Sequence, residues 1–384
     1  MRRRWRYIIG TIAAVAVWTA APAAADLPGF STYQTRYYVL HTDLGPEGVQ
    51  EATVRITLMA EEYHNRTKGL AGTVNKRMPF YLFKHMRDYN AAGGVPGSAG
   101  VFTGEALMAV ANPENPEATW SVVQHEGFHQ FVDAAIGHKI PIWANEGMAE
   151  YFGTGQFTGD QFIVGLIPPE RLERVKQGIR QHAFRPLRDM LVLKHEEWNS
   201  DLRHENYDQA WAMVQFLAHG DNGKYEQPFM SFLREVARKT PWEQAWVQAF
   251  GTDVNAFQKR WEEYWTGLPD NPTGELYAEV VVLTLTSFYG RTQAQRQRFE
   301  TADEFFAAAA AGKLSINQQD WLPPSLLKTM LAVAPKVGQW TLEGKGNQRF
   351  LTCARADGSV LQGRFQFDGG KVRNVHVEPL KKRK

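Results

Sequence analysis

The amino-acid sequence predicts an α+β protein with a mostly helical first domain and a small second domain that ends in antiparallel strands. Three short β-type runs, at 35–41, 78–84 and 106–111, indicate a small mixed sheet near the start, with a helix predicted between the first two and a glycine-rich loop between the last two. Residues 116–265 consist mainly of segments with helical length and periodicity. From about residue 337 onward, β-type runs alternate with Asp-Gly turns, which is typical of a small antiparallel β-meander.

Glycine and proline residues at 267–274 separate the two domains. With 384 residues and a hydrophobic content of 43%, the chain is long enough for two buried cores. We therefore predict a first domain over 26–266 and a C-terminal α/β accessory domain over 275–384. In the second domain, Thr301 and Glu304 have the spacing of a capping box ahead of an alanine-rich helix.

The N-terminus has the pattern of a secretory signal peptide. Four arginines precede an apolar run at 7–20, and the alanines at 23–25 supply an A-x-A cleavage site. We expect residues 1–25 to be removed on export to the periplasm or the medium; a retained N-terminal anchor is the alternative. Elsewhere no stretch of the sequence approaches the length of a membrane span.

Charge and cysteine content exclude several classes of function. Without the four arginines of the signal peptide, 39 of the 43 basic residues remain against 41 acidic residues, a formal charge of −2. This balance does not indicate a nucleic-acid partner, and we interpret the basic tail at 381–384 as solvated. The single cysteine, Cys353, excludes an intrachain disulfide and argues against a cysteine-based zinc site.

Residues 125–129 read H-E-x-x-H, with His125, Glu126 and His129 at the fixed positions. On a helix, the two histidines lie one turn apart on one face, where they can bind one zinc ion with the glutamate beside its water. The Asn-Pro pair at 115–116 predicts the start of such a helix, and a glycine soon after the motif predicts its end. A pair of core histidines is the structural alternative.

A third ligand is expected from the segment that follows. A returning helix, predicted from about Glu146 and capped by Asn145 or a neighbour, would bring the carboxylate of Glu146 back to the two histidines. Glu150 lies one turn further on the same face. It could accept a hydrogen bond from the outer nitrogen of a ligand histidine. The alternative for Glu150 is a solvated helix face.

H-E-x-x-H followed by W-x-N-E-G-x-A-E-Y resembles the gluzincin metallopeptidases, above all the bacterial peptidase-MA-like domains of the DUF1570 type. The E-G-x-A stretch is also similar to the aminopeptidase N group. The resemblance extends over about 35–265, with its specific part at about 125–152. It implies a zincin-like fold, a Zn²⁺ cofactor and Glu146 as the third ligand. It further implies that the strand at 106–111 borders the cleft and offers its free edge to an extended peptide.

A tyrosine at the start of a later helix is the remaining candidate site residue. In the resembled families, a tyrosine that opens a comparable helix points at the metal and donates a hydrogen bond to the oxyanion. Tyr207, near the start of the helix predicted over 205–217, is similar in position. His204 is an alternative donor, and a core tyrosine whose hydroxyl is bonded elsewhere is the structural alternative.

Together these features predict an exported zinc-dependent metallopeptidase that acts on a peptide or protein substrate. Zinc would polarise the scissile carbonyl and acidify the attacking water, and Glu126 would take up the proton as general base. The alternative is an exported zinc-binding module without catalysis that recognises peptide or cell-wall material. Glu126 favours the enzyme, because binding alone needs no base.

Overall fold

The structure, a computed structural model, describes residues 27–137, 140–345 and 348–380. The chain divides into two compact units. The first comprises the residues up to Gly155 together with Ile167–Asn271, and the second comprises Gln156–Leu166 together with the residues from Pro272 onward. The sequence predicts one domain over 26–266, whereas in the structure Gln156–Leu166 groups with the second unit. The predicted signal peptide and the basic tail lie outside the described residues.

A five-stranded mixed sheet forms one part of the first unit. Its strands are β1 (Ser31–Gln34), β2 (Tyr38–Thr42), β3 (Met78–Phe83), β4 (Gly100–Phe102) and β5 (Leu107–Val110), in the order β1-β2-β3-β5-β4. The pairs β2–β3 and β3–β5 are parallel, and β1–β2 and β4–β5 are antiparallel. The predicted small mixed sheet is confirmed. The expected free edge at 106–111 is wrong, because β5 lies inside the sheet and β4 is the edge strand.

Eleven helices complete the first unit over the residues that the structure describes. They are α1 (Pro46–Arg66), α2 (Met86–Ala91), α3 (Pro116–Ala135), α4 (Ile142–Gly153), α5 (Pro169–Arg180), α6 (Leu187–Val192), α7 (His195–Ser200), α8 (His204–Gly223), α9 (Glu226–Ala237), α10 (Trp242–Phe250) and α11 (Val254–Gly267). The prediction that residues 116–265 are mainly helical is confirmed.

The ends of the two helices at the motif follow from local chemistry. The side chain of Asn115 accepts a hydrogen bond from the amide of Ala118 at 3.3 Å, which caps α3 as predicted. Gly137, after the last turn, has a φ of 78° that suits glycine. The predicted start of α4 near Glu146 is wrong, because the helix already begins at Ile142. Pro141 holds the N-cap position in place of Asn145, and its extended backbone leads directly into the first turn.

α3 is the central helix of the first unit. It packs against β4 and β5, against α1 and against α4, and α4 packs in turn against α8. Tyr63 of α1 contacts Phe128 and Phe131 of α3 and Phe152 of α4, with ring centroids 4.7 to 5.5 Å apart. These four rings are buried and fix α3 and α4 relative to each other.

The second unit has its own helices and sheet. Its elements are β6 (Gln156–Phe157), β7 (Phe162–Ile163), α12 (Gly274–Ala294), α13 (Ala302–Ala310), α14 (Pro324–Val337), β8 (Gln339–Lys345), β9 (Gln348–Ala354), β10 (Val360–Asp368) and β11 (Lys371–Leu380). The last four strands form an antiparallel sheet in the order β11-β10-β9-β8, so the predicted meander is confirmed. Oγ1 of Thr301 accepts a hydrogen bond from the amide of Glu304 at 3.1 Å and so caps α13.

The long helix α12 packs on three of these strands, β9, β10 and β11. Among the residues that the structure describes, no helix combines the length and the hydropathy that crossing a bilayer requires.

Candidate metal centre

The three side chains that the sequence predicts as metal ligands meet between α3 and α4. Nε2 of His125 lies 3.1 Å from Nε2 of His129. Oε2 of Glu146 lies 3.6 Å from each of these two nitrogens. Donors bound tetrahedrally to zinc at its usual bond lengths lie roughly 3.3–3.5 Å from one another. The spacing of these three donor atoms therefore fits a single zinc site.

Two glycines allow the helices to approach closely enough for this arrangement. A Cβ atom at Gly147, next to Glu146, would overlap the carbonyl of Ala210 and the side chain of Val214 on α8. A Cβ atom at Gly127, inside the H-E-x-x-H segment, would lie 2.8 Å from Cε of Met59 on α1. Gly147 is therefore required by packing and allows α8 to lie against the helix that carries the acidic ligand, whereas at Gly127 it is chiefly the flexible end of the Met59 side chain that would have to shift.

The electrostatics of the cluster favour a cation between the two rings. Burial alone would lower the pKa of His125, but hydrogen bonds to Glu146 and Glu150 and the negative charge of Glu126 raise it well above its usual range. The pKa of His129 is raised in the same way, against burial, chiefly by Glu146. A field that stabilises an imidazolium here also stabilises a metal ion held by the neutral rings.

Glu126 is held by the edge strand of the sheet. Its side chain is buried, and its Oε2 accepts a hydrogen bond from the backbone amide of Phe102 at 2.8 Å. The same helical turn that carries the two histidines thus carries a carboxylate fixed to β4. The sequence analysis did not predict this contact, because the three residues of β4 are too few to show a strand periodicity.

Glu150 faces His125, and the alternative of a solvated helix face is not what the structure shows. Its Oε1 lies 3.2 Å from Nδ1 of His125, the nitrogen opposite the one that faces Glu146. Its Oε2 lies 2.6 Å from Nη1 of Arg171 on α5. Burial would raise the pKa of Glu150, but Arg171 and His125 lower it to about 2. Glu150 is therefore an anionic hydrogen-bond acceptor that orients the His125 ring.

Arg171 belongs to a buried charge cluster that the sequence did not reveal. Its guanidinium lies 2.9 Å from Oδ1 of Asp208 on α8, and Arg174 binds the same carboxylate through two hydrogen bonds of 2.6 and 3.0 Å. Arg171 also lies over the Trp211 ring at 4.5 Å. The only signal in the sequence is a pair of arginines three positions apart on one helix, which is common on solvated surfaces.

The outer nitrogen of His129 differs from that of His125. Nδ1 of His129 is buried and has no hydrogen-bond partner among the described residues. His125 alone is therefore oriented by a carboxylate within the part of the chain that is described.

Tyr207 lies in the first turn of α8, on the side of the cluster. Its hydroxyl oxygen accepts a hydrogen bond from Nε1 of Trp198 at 3.3 Å. Burial raises the pKa of Tyr207 above its usual range, and the carboxylates of Glu146, Glu150 and Glu126 raise it further, so the phenol lies within their field. His204, the alternative donor, begins the same helix and is exposed.

A cavity of about 590 Å³ lies beside β4, the strand whose Phe102 amide binds Glu126. Its lining includes Phe102, whose amide binds Glu126, and Gln130, which follows His129 on α3. Met78 and Ala106 are buried lining residues, and the remaining lining residues are Val74, Asn75, Lys76, Arg77, Pro79, Glu105, Asp133 and Ala134. The lining combines apolar side chains with charged groups of both signs.

Comparison with known families finds a match over the segment that contains this centre. Residues 119–243 match the family described as "Protein of unknown function (DUF1570)". The DUF1570 segment contains the three candidate ligands and also Glu126, Glu150, Arg171, Tyr207 and Asp208. Phe102 and β4 lie before it. Comparison with curated proteins gives no match.

Proposed function

We propose that this protein is an exported zinc-dependent metallopeptidase of the gluzincin type with a zincin-like fold. The observation that carries the proposal is the spacing of three donor atoms, 3.1, 3.6 and 3.6 Å apart, on His125, His129 and Glu146. A buried glutamate, Glu126, lies on the same helix between the two histidines. Two imidazoles and a carboxylate leave one position of a tetrahedral zinc site open, which is typical of catalytic zinc.

The chemistry follows from the side chains around that position. When bound, zinc would supply a Lewis acid that polarises a carbonyl group and acidifies water. Glu126 accepts the proton from the attacking water and passes it to the leaving amine. The hydrogen bond from the Phe102 amide leaves one carboxylate oxygen of Glu126 for this task. Tyr207, whose hydroxyl keeps its proton at neutral pH, donates a hydrogen bond to the oxyanion.

The edge strand supports a peptide as substrate. Backbone hydrogen bonds join Ala99 to Val110 and Thr103 to Ala106. The backbone groups of Ala99 and Thr103, which flank β4, therefore face β5. Gly100 is buried, so the accessible part of this edge is at Phe102, whose carbonyl points away from β5 as its amide does toward Glu126. An extended peptide can pair with this edge beside the base, with a side chain in the neighbouring cavity.

Export remains part of the proposal on the strength of the sequence alone. The basic, apolar and A-x-A segments of residues 1–25 occur in the order of a signal peptide. Such a chain would act on peptides or proteins in the periplasm or outside the cell.

The test combines metal content with turnover. Elemental analysis of purified protein should find one zinc per chain, and His129→Ala should abolish stoichiometric binding. A peptide library should be cleaved by the wild type, not in the presence of a chelator, and again after zinc is restored. Unchanged zinc content in His129→Ala would refute the ligand set. Zinc binding by the wild type with no cleavage of any peptide would instead favour the non-catalytic module that recognises peptide or cell-wall material.

A further inference from the structure

Arg171 makes four contacts that converge on the candidate centre from two helices. Its Nη1 lies 2.6 Å from Oε2 of Glu150 on α4. Its Nη2 donates to the backbone carbonyl of Tyr207 on α8 at 3.3 Å. Its Nε lies 2.9 Å from Oδ1 of Asp208, an ion pair whose angle does not meet the requirements of a hydrogen bond. The plane of the guanidinium rests on the ring of Trp211.

The burial of this side chain makes the contacts consequential. The side chain of Arg171 is 8% exposed, and those of Glu150 and Asp208 are 16% and 9% exposed. A buried guanidinium needs anionic partners, and each buried carboxylate needs a donor for the oxygen that water cannot reach. Only the planar fork of arginine can face both carboxylates while stacking on an indole.

We propose that Arg171 is a positioning residue that sets the geometry of the centre from both sides. Through Glu150 it fixes the ring of His125, because the carboxylate that binds Nδ1 is itself bound at its other oxygen. Through the carbonyl of Tyr207 and the carboxylate of Asp208 it fixes the first turn of α8, which carries the Tyr207 hydroxyl. The catalytic half of this inference rests on the proposed function, whereas the half that concerns metal affinity can be measured without turnover.

Arg174 supplies a matched control on the same helix. It binds Asp208 through two hydrogen bonds, as close as any contact of Arg171. Its side chain is 49% exposed, and no hydrogen bond or ion pair joins it to Glu150 among the described residues, although the charge of Glu150 contributes to raising its pKa. Replacement of Arg174 therefore disturbs Asp208 without removing the donor to Glu150.

The experiment measures zinc affinity by competition with a chelator in full-length mature protein. We expect Arg171→Gln and Glu150→Gln each to weaken zinc binding by about 10–100-fold. Arg174→Gln should stay within about twofold of the wild type. The double variant of Arg171 and Glu150 should bind zinc no more weakly than the weaker single variant, since both act through one chain of contacts.

Two further readouts separate positioning from a general loss of structure. The absorption spectrum of cobalt-substituted protein should change in Arg171→Gln and not in Arg174→Gln, because only the former alters the orientation of His125. On a peptide substrate, kcat should fall while KM changes little. Arg171→Lys should restore part of the zinc affinity, because an ammonium can reach Glu150, but not kcat, because it cannot also hold the Tyr207 carbonyl.

Each outcome decides the question. A folded Arg171→Gln with zinc affinity and cobalt spectrum like the wild type overturns the inference. If Arg171→Gln does not fold, Arg171→Lys decides in its place, and wild-type affinity together with wild-type kcat in that variant overturns the inference. If the Arg171 variants lose zinc but the wild type cleaves no peptide, the part of the inference that concerns metal affinity is supported. The proposed peptidase function is then contradicted. A wild type that binds no zinc overturns both.

Discussion

Each unit of the protein contains a buried arginine between two carboxylates, and the two clusters differ in which other groups the carboxylates contact. In the first unit, Arg171 binds Glu150, and the other oxygen of Glu150 faces a ring nitrogen of His125. In the second unit, Arg291 binds Asp160 through two hydrogen bonds of 2.8 and 3.0 Å and donates to the backbone carbonyl of Asp320 at 2.7 Å. The first cluster contacts His125, a side chain that could bind a metal. We call the second cluster closed, because the contacts of its carboxylates are all structural.

The closure of the second cluster is visible in its remaining bonds. Oδ2 of Asp320 accepts the backbone amide of Val372 at 2.9 Å, and Nη1 of Arg291 also donates to the carbonyl of Ser287 at 3.0 Å. Every one of these partners is structural, and Asp160 lies in the turn between β6 and β7. The cluster therefore holds that strand pair on α12, which explains why Gln156–Leu166 belongs to the second unit. Buried charge alone does not mark a functional site.

If this comparison is right, changes at Glu126 and Tyr207, beside the first cluster, remove function and leave stability, and changes in the second cluster do the reverse. The largest effect is expected for Glu126→Gln, which keeps the shape and the hydrogen bond from Phe102 but removes the base. Hydrolysis of a peptide substrate should fall by about 10²–10⁴-fold. Zinc content and melting temperature should stay near those of the wild type. Full activity in this variant would end the peptidase mechanism.

The reverse effect is expected for Arg291→Met in the second unit. Removal of Arg291 leaves the carboxylate of Asp160 without its cation and leaves Asp320 with only the more distant Arg373, 3.8 Å away. Loss of one partner of a buried ion pair typically costs about 3–5 kcal/mol in the free energy of unfolding. Denaturant unfolding of the variant should show this loss, and zinc content at low denaturant should equal that of the wild type. Arg364→Met is a suitable control, because Arg364 pairs with an exposed carboxylate of Glu378. Loss of zinc in folded Arg291→Met would break the comparison.

A smaller effect on rate is expected for Tyr207→Phe. The variant keeps the base and the ligands and loses one donor to the oxyanion, so kcat should fall by about 10²–10³-fold with little change in KM. Steady-state kinetics on the substrate used for Glu126→Gln provide the measurement. If kcat is unaffected, Tyr207 is a core residue that accepts the Trp198 hydrogen bond, and His204→Ala becomes the next variant to test.

The smallest effect concerns a partly buried histidine of the first unit, for which no ion pair with a carboxylate is found among the described residues. Burial, with a contribution from Arg66, lowers the pKa of His219 to about 4, and its Nε2 lies 2.8 Å from the hydroxyl of Tyr151. An unfolded histidine titrates near 6.5, so between these values the unfolded chain binds more protons. The free energy of unfolding should therefore fall by up to about 3 kcal/mol as the pH drops from 6.5 to 4.

His219→Gln should remove this part of the pH dependence while keeping an acceptor for Tyr151. Metal-free protein is the appropriate sample, because protonation of the ligand histidines would otherwise release zinc in the same range. Equal pH dependence of unfolding in the variant and the wild type would show that His219 does not stay neutral in the folded chain.

The sequence predicts the parts of the site that depend on local spacing. The i, i+4 pair of His125 and His129 lies on one face of any helix, and the cap at Asn115 marks where that helix begins. Glu146 could be placed because a short turn between two helices leaves few ways for the second to return. The helices of 116–265 and the C-terminal meander followed from periodicities of 3.6 and 2 residues.

The remaining features depend on contacts between distant residues. Arg171 acquires its role only through Glu150 and Asp208, which lie on other helices, and Arg291 finds Asp160 at a separation of 131 positions. The strand β4 is three residues long and begins with a glycine, so neither length nor composition distinguishes it from a loop. The free edge was therefore predicted at 106–111, which corresponds to β5, instead of at the preceding strand β4. The contact between Phe102 and Glu126 was not expected for the same reason.

That contact has a consequence for where a substrate would be cut. Because the amide of Phe102 binds Glu126 directly, the base and the edge strand keep one fixed separation. The register in which a peptide pairs with β4 then determines which of its bonds faces the base, independently of its side chains. On the proposed function, a proline or an N-methylated residue opposite the carbonyl of Phe102 would lose a main-chain hydrogen bond and shift the cleavage position. Selection of the scissile bond would thus be built into the backbone of a three-residue strand.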